Sequence, residues 1–454
     1  MTLRVAIVGA GPAGFYAAGH LLAAEPPIEV DLFDRLPTPF GLVRAGVAPD
    51  HPKIKSVVRV YQKTAAKEGF RFFGGIELGR DLHRTDLLER YHAIIYAIGA
   101  ATDRKLGIPG EDLPGSEAAT TFVGWYNGHP DHPDRDFDLE CERIVVVGNG
   151  NVAVDCARML ALGADELRGT DTADHAIDVL NADAVKEIVI LGRRGPVQAA
   201  FTNPELLELG ELEHADIIVD PADLELDTAS QAFLDSDDAN KTTRENVRIL
   251  REYAERTPEG KPKRIVLRFL TSPVAIEGDG RVERIVVERN RLEPREDGSL
   301  AARPTGERET LDCGLVLRSI GYKGIAIPEV PFDESRGTIP NVAGRIVDGE
   351  DHVTGEYVTG WIRRGPSGVI GTNKKDGQEA ANSLLADAEA GVLNAPAAEH
   401  DIADLLAERG VEPVTWEGWE RIDDHEVALG SDSGRPRVKL TRYERLHGTA
   451  RGQN

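Results

Sequence analysis

Residues 4–34 constrain the fold of this chain more than any other stretch. Residues 4–8 form a short apolar run, the signature of a strand buried on both faces of a parallel sheet. The run passes into Gly9-Ala10-Gly11-Pro12-Ala13-Gly14 and then into a helical stretch over 15–24. A second strand over 28–33 ends on the carboxylate of Asp34. This order is a dinucleotide-binding strand–helix–strand unit. Gly9 makes the tight turn, Gly11 admits a pyrophosphate to the backbone, and Gly14 lets helix and strand pack closely. The helix N-terminus faces the phosphates and Asp34 is placed for a ribose hydroxyl.

The pattern repeats. Residues 143–147 form a second buried run, followed by Gly148-Asn149-Gly150-Asn151-Val152-Ala153, with Ala153 in the close-packing position. Here the next strand, 187–191, ends on Gly192-Arg193-Arg194-Gly195-Pro196 rather than on an acid. A carboxylate repels a 2′-phosphate, whereas paired guanidiniums bind it bidentately, unless the pair is a plain surface feature. The second unit is therefore expected to take NADP, and the first a different nucleotide, most simply FAD. Beyond the arginines, Asn203 and Pro204 mark a helix start as N-cap and first-turn residue. Glu205 and Glu208 share one helix face, and the sequence by itself assigns them to complementing the helix dipole.

The remaining stretches read more coarsely. The loop 36–52 is rich in proline and glycine, 53–67 looks helical, and 71–73 and 76–78 read as short strands. Breakers at 108–115 mark an exit to a new domain, and the run 315–322 echoes 92–99 and reads as the return to the first. Residues 211–257 carry thirteen acidic against five basic residues and look helical and exposed. Residues 264–269 and 282–288 read as antiparallel strands. The tail after Gly391 contains a helix and two tryptophans without evident chemistry, and 448–454 are expected to fray.

Charge and cysteine content narrow the function. A formal charge of −24 disfavours nucleic acid as a partner. Three cysteines, Cys141, Cys156 and Cys313, share no Cys-x-x-Cys spacing, so no redox dithiol, zinc ribbon or protein-held iron–sulfur cluster is expected, and no metal site. The start shows no signal-peptide pattern and no apolar run reaches membrane-spanning length, so a soluble, cytoplasmic protein is expected. Against the acidic whole, 41–75 carries seven basic residues and two acidic ones. That stretch is either a docking surface or a solvated helix face.

Taken together, these motifs resemble the adrenodoxin reductase family of ferredoxin–NADP reductases, in its bacterial, actinobacterial-type branch. The most specific matches are residues 41–53, 148–153, 192–196, and Gly360-Trp361-Ile362 with Gly368-Val369-Ile370-Gly371-Thr372-Asn373. The resemblance implies an α/β, glutathione-reductase-like fold with two Rossmann-like domains. An FAD domain (1–103 and 321–454) would be split around an inserted NADP domain (104–320), the second FAD part carrying the C-terminal tail. It further implies FAD contacts from Gly11, Ala13, Asp34, Leu42, Leu78, Trp361, Gly368, Val369 and Ile370. NADP contacts would come from Asn149, Gly150, Asn151, Val152, Arg193, Arg194, Glu205 and Gly368. His51 and Glu208 match residues that tune proton and hydride traffic beside the flavin; without the resemblance His51 is a hydrogen-bonded loop histidine. The activity implied is hydride transfer from NADPH to FAD, then single electrons to a ferredoxin-type iron–sulfur protein. That partner would dock near Arg44, Lys53, Lys55 and Arg59, with Arg363, Arg364, Lys374 and Lys375 adding charge, and a monomer suffices. The rivals are a flavin monooxygenase, the reductase subunit of an amidotransferase-type complex, and a non-catalytic NADP-binding sensor.

Overall fold

The structure is a computed structural model describing residues 2–296, 298–368, 370–398 and 400–453, so Val369 lies outside the described residues. Packing divides the chain into two compact units. The first comprises Met1–Thr102, Asn127–Asp131 and Gly321–Asn454; the second comprises Asp103–Tyr126 and His132–Ile320. The segment Asn127–Asp131, inside the range expected for the inserted domain, packs with the first unit. There Arg35 Nη2 and Tyr443 Oη both donate to Asp131 at 2.6 Å, and Lys439 Nζ donates to Asn127 Oδ1 at 3.2 Å.

The first unit begins with β1 (Leu3–Val8), α1 (Pro12–Leu21), β2 (Ile28–Asp34), α2 (Val58–Ala65), β3 (Phe70–Gly74) and β4 (Ala93–Tyr96). The second unit supplies β5 (Ser116–Ala118), β6 (Arg143–Val147), α3 (Asn151–Ala161), β7 (Glu187–Leu191), α4 (Asn203–Leu209), β8 (Ala215–Val219) and α5 (Lys241–Glu255). It continues with β9 (Lys263–Arg268), β10 (Thr271–Glu277), β11 (Arg284–Pro294), β12 (Leu300–Asp312) and β13 (Leu315–Arg318). The chain then rejoins the first unit through β14 (Asn341–Val342), β15 (Arg345–Asp348), β16 (Asp351–Val358), α6 (Ile370–Glu389), α7 (Trp416–Asp432) and α8 (Tyr443–Ala450).

In the first unit the strands order as β14-β15-β16-β4-β1-β2-β3. From β16 to β3 every pairing is parallel, and β1 lies between β4 and β2 with Val5, Ala6 and Ile7 fully buried. Burial of both faces is why this strand reads as a continuous apolar run. On one face α6 crosses α1 so closely that a Cβ at Gly377 would stand 2.9 Å from the backbone nitrogen of Ala17. In the second unit the order is β5-β13-β6-β7-β9-β8, all parallel, with β10-β11-β12 as a separate antiparallel sheet. The α/β class with two Rossmann-like sheets is thus the observed one. Among the described residues no helix is long and apolar enough to cross a membrane.

Several expectations are corrected. Residues 264–269 pair parallel to β7 and β8, as β9, rather than antiparallel to 282–288; the alternation in β9 reports one more exposed face, not a meander. The acidic stretch 211–257 contains β8, an edge strand with Ala215, Ile217 and Val219 buried. The run 315–318 belongs to the second sheet, pairing with β6, and the return to the first unit follows at Gly321. Residues 76–78 form no strand beyond an isolated bridge from Leu78 to Leu82. The expected fraying from 448 is not seen through residue 450: α8 runs to Ala450, whose carbonyl accepts from Arg421 Nη1 at 2.7 Å. The three cysteines are free, Cys156 and Cys313 buried.

The tail completes the first unit's core. Trp416 and Trp419 of α7 meet Phe40 edge-on, with centroids 6.2 and 5.5 Å away, and Phe40 packs on Phe15 of α1 at 5.5 Å. Phe40 itself holds a positive φ of 82°.

Candidate functional site

Each unit presents a nucleotide cradle built by its first strand, glycine turn and helix. In the first, Gly9 has φ +112°, and a Cβ there would stand 2.4 Å from Ala97 O; a Cβ at Gly14 would stand 2.1 Å from Gly9 O. These two glycines are required by packing. A Cβ at Gly11 would meet nothing within 4 Å. Space is therefore left over the turn. The N-cap of α1 is Gly11, with no side-chain cap and Pro12 behind it, so the first-turn N–H groups are offered to a ligand. The cradle fits a dinucleotide pyrophosphate.

Asp34 does more than await a ribose. Ala10 N–H donates to its Oδ2 at 2.8 Å and Leu36 N–H to its Oδ1 at 2.9 Å, which ties the glycine turn to the end of β2. Burial raises the carboxyl's pKa above the ordinary value, against the lowering by these two N–H groups. Each oxygen keeps acceptor capacity for a hydroxyl.

The second cradle repeats this geometry. A Cβ at Gly148 would stand 2.1 Å from Ser319 O, whereas Gly150, the uncapped N-cap of α3, has nothing within 4 Å. Ala153 is fully buried. Asn151 Oδ1 accepts from Thr202 N–H at 2.8 Å and so sets the start of α4. At the end of β7, Arg193 and Arg194 line a cavity of about 320 Å³. The open cradle, with two guanidiniums that have no carboxylate partner among the described residues, fits a dinucleotide carrying an extra phosphate.

Residues 3–189 match the family model described as pyridine nucleotide-disulphide oxidoreductase. The chain is 50% identical over 451 residues to NADPH-ferredoxin reductase FprA of Mycobacterium leprae (strain TN), covering 98% of this chain and 97% of that one. It is 43% identical to human mitochondrial NADPH:adrenodoxin oxidoreductase, covering 97% of this chain and 90% of that one. The structure of Mycobacterium tuberculosis FprA in complex with NADPH superposes with a TM-score of 0.93 at 48% identity, covering all of both chains.

The chain belongs to the adrenodoxin reductase family of ferredoxin–NADP reductases.

The other residues that the family resemblance brings forward are distributed as follows. His51 is buried and stands at the N-cap of the short helix Pro52–Lys55. Glu205 and Glu208 lie on α4, where Arg158 of α3 donates through Nη1 to Glu205 Oε2 at 3.2 Å and to Glu208 Oε2 at 2.5 Å. Their partner is a guanidinium only 3% exposed, a stronger local influence than the dipole of a seven-residue helix. The helix itself is capped at Thr202, one residue earlier than expected, and Asn203 instead donates to Thr242 O and Asn246 Oδ1. Leu42 is half-exposed beside the glycine turn region, and Leu78 is partly buried. Trp361 stacks on Tyr322 with centroids 5.6 Å apart, and its Nε1–H donates to Ser367 O at 3.2 Å. Gly368 has φ +79°, and Ile370 opens α6.

The basic stretch separates into two groups. Arg44 is a correction: its side chain is 10% exposed and paired with the fully buried Glu426 (Nη1–Oε2 2.8 Å), so it is not a surface cation. Arg71 binds Asp31 and Asp401. Arg363 and Arg364 are likewise engaged, by Glu379 and Asp376. Lys53, Arg59, Lys63, Lys374 and Lys375 are exposed, whereas Lys55 is partly buried and donates to Asn127 Oδ1 at 3.3 Å. The links of Arg158 to Glu205 and Glu208 and of Arg44 to Glu426 join residues 47 or more positions apart, which local pattern does not reveal.

Proposed function

We propose that this protein is an FAD-dependent NADPH–ferredoxin reductase. The full-length likeness to FprA, joined to a second cradle that ends in paired arginines, is the observation that carries the reading. Bound FAD supplies the chemistry, taking the hydride pair of NADPH and passing it on as single electrons. The balance is one NADPH oxidised and two one-electron acceptors reduced, with one proton released. The chain's own part is binding and alignment. The open turn at Gly11 and the α1 N-terminus receive the flavin dinucleotide, with Asp34 holding the turn and accepting a ribose hydroxyl. Arg193 and Arg194 clamp the 2′-phosphate of NADPH. His51 and Glu208 are assigned to proton and hydride handling, His51 through its imidazole nitrogens and Glu208 through its carboxylate.

An anaerobic visible titration of the purified protein tests this. A yellow protein bleached far more efficiently by NADPH than by NADH is expected. Arg194→Ala should lower the preference by about tenfold, one bidentate contact to a charged group. In the same titration His51→Ala and Glu208→Gln should stay yellow but bleach more slowly. A colourless protein, or one bleached equally by NADH, overturns the flavin or the clamp assignment respectively.

For the electron acceptor, the exposed cations Lys53, Arg59 and Lys63 share the segment 53–63 with the exposed apolar Ile54 and Val60. This mixture suits an acidic iron–sulfur protein, with an apolar centre and charged rim, approached by a reductase monomer. Reversing Lys53 and Arg59 to glutamate is expected to slow ferredoxin reduction several-fold at low salt and flatten its salt dependence, leaving bleaching by NADPH intact. An unchanged rate and salt slope would place the docking face elsewhere.

A further inference from the structure

The second unit carries a third guanidinium at a place that no strand–turn–helix pattern marks. Arg295 stands at the turn between β11 and β12, and with Arg193 and Arg194 it lines the cavity of about 320 Å³. The turn is closed on Arg295 itself: its N–H donates to Ser299 O at 2.8 Å, and Gly298 N–H donates to its carbonyl at 3.0 Å. The arginine loop is stitched to the same antiparallel sheet at three consecutive carbonyls. Thr271 N–H donates to Gly192 O at 2.9 Å, Asn290 Nδ2 to Arg193 O at 2.9 Å, and Leu270 N–H to Arg194 O at 3.1 Å. Loop and hairpin therefore form one frame, and Asn290, buried and also bonded to Ser272 Oγ at 2.8 Å, is its pin.

None of the three guanidiniums has a carboxylate partner among the described residues. The acid in the cavity wall, Glu288, is already taken by Gly306 N–H at 3.0 Å and Arg308 Nε at 3.2 Å. Burial, then the neighbouring Arg193 and Arg295 cations, pull Arg194 below the ordinary arginine pKa, so the cluster repels itself. Three like charges on one concavity are relieved by a compact, multiply charged anion, and a phosphate monoester has that charge and three acceptor oxygens.

We propose that Arg295 is a specificity-determining residue for NADPH, adding a third positive charge at the 2′-phosphate beside Arg193 and Arg194. The proposal rests on the assignment of NADPH to that loop. Arg295 is exposed, so its contribution is modest and acts through charge, which makes it sensitive to salt.

The test is calorimetric binding to the flavin-loaded protein of NADP+, of adenosine 2′,5′-bisphosphate as a probe without nicotinamide, and of NAD+. Arg295→Ala is expected to weaken the first two about three- to fivefold at low salt, less at about 0.5 M salt, and to leave NAD+ unchanged. Arg295→Lys should keep most of the affinity, which separates charge from any distortion of the hairpin. Unchanged NADP+ binding in Arg295→Ala, with Arg194→Ala weakened, overturns this proposal alone. Equal losses for NAD+ and NADP+ overturn it too, since the effect would be structural. If Arg194→Ala also binds NADP+ normally, the assignment of the loop fails, and this proposal with it.

Discussion

Arg44→Ala is expected to destabilise the first unit by about 3–5 kcal/mol, the cost of leaving a buried charge without its main partner. Its guanidinium makes two bonds to Glu426 (2.8 and 2.5 Å) and lies 5.3 Å from the centre of the Trp419 ring. The carboxylate is fully buried and retains only Leu440 N–H at 2.8 Å and Arg437 at 3.3 Å once Arg44 is gone. Denaturation followed by tryptophan fluorescence would report it, because Trp419 lies against the lost contact; a shift under 1 kcal/mol would show that the pair contributes little net. The pH dependence has a definite sign. Burial opposes ionisation of Glu426, but Arg44 and Arg437 outweigh it and hold the folded pKa below the ordinary value of 4.5. The pair's stabilisation is thus complete above about 4.5 and is lost as pH falls through the lower, folded value. Without Arg44 the burial effect gains weight, so the variant should lose its tail packing at a higher pH than the parent.

The second large effect separates folding from cofactor retention at one turn. Gly14→Ala would press a methyl group to 2.1 Å from a backbone carbonyl that cannot rotate away. The turn or helix must shift, at a cost of several kcal/mol, about that of overpacking a core or more. Low soluble yield and a lowered melting temperature of flavin-free protein are the expected results. Gly11→Ala meets no atom within 4 Å and should leave the flavin-free protein as stable as the parent. Its methyl group occupies the space assigned to the pyrophosphate, so the ratio of flavin to protein absorbance should fall. Full flavin content in Gly11→Ala would move the pyrophosphate off this turn.

The sequence made legible whatever is encoded within about fifty residues. The glycine turns, both buried first strands, Asp34 and the arginine pair carry their chemistry in local order. The tail was opaque because Trp419 and Glu426 are explained only by Phe40 and Arg44, more than 370 positions earlier. Local charge likewise hid the roles of Arg44, Arg363 and Arg364, each a cation in the sequence and an ion-pair member in the fold. β9 was mispaired because alternation reports one buried face but not the direction of the neighbouring strands. Arg295 escaped because a hairpin turn has no periodicity to betray which loop it approaches.

The splitting of the first unit also imposes an order on biosynthesis. β1 can pair with β2 and β4 as soon as they are made, but β4's other neighbour is β16, α1 is covered by α6, and Phe40 waits for Trp419. Roughly 400 residues of translation separate Gly14 from Trp419, about 20–80 s at ~5–20 residues per second. Over that interval the inserted unit, which ends at Ile320, emerges whole while the turn around Gly11 is still uncovered. Closure of the first unit's core, with α6 over α1 and Trp419 on Phe40, therefore waits for the last part of the chain.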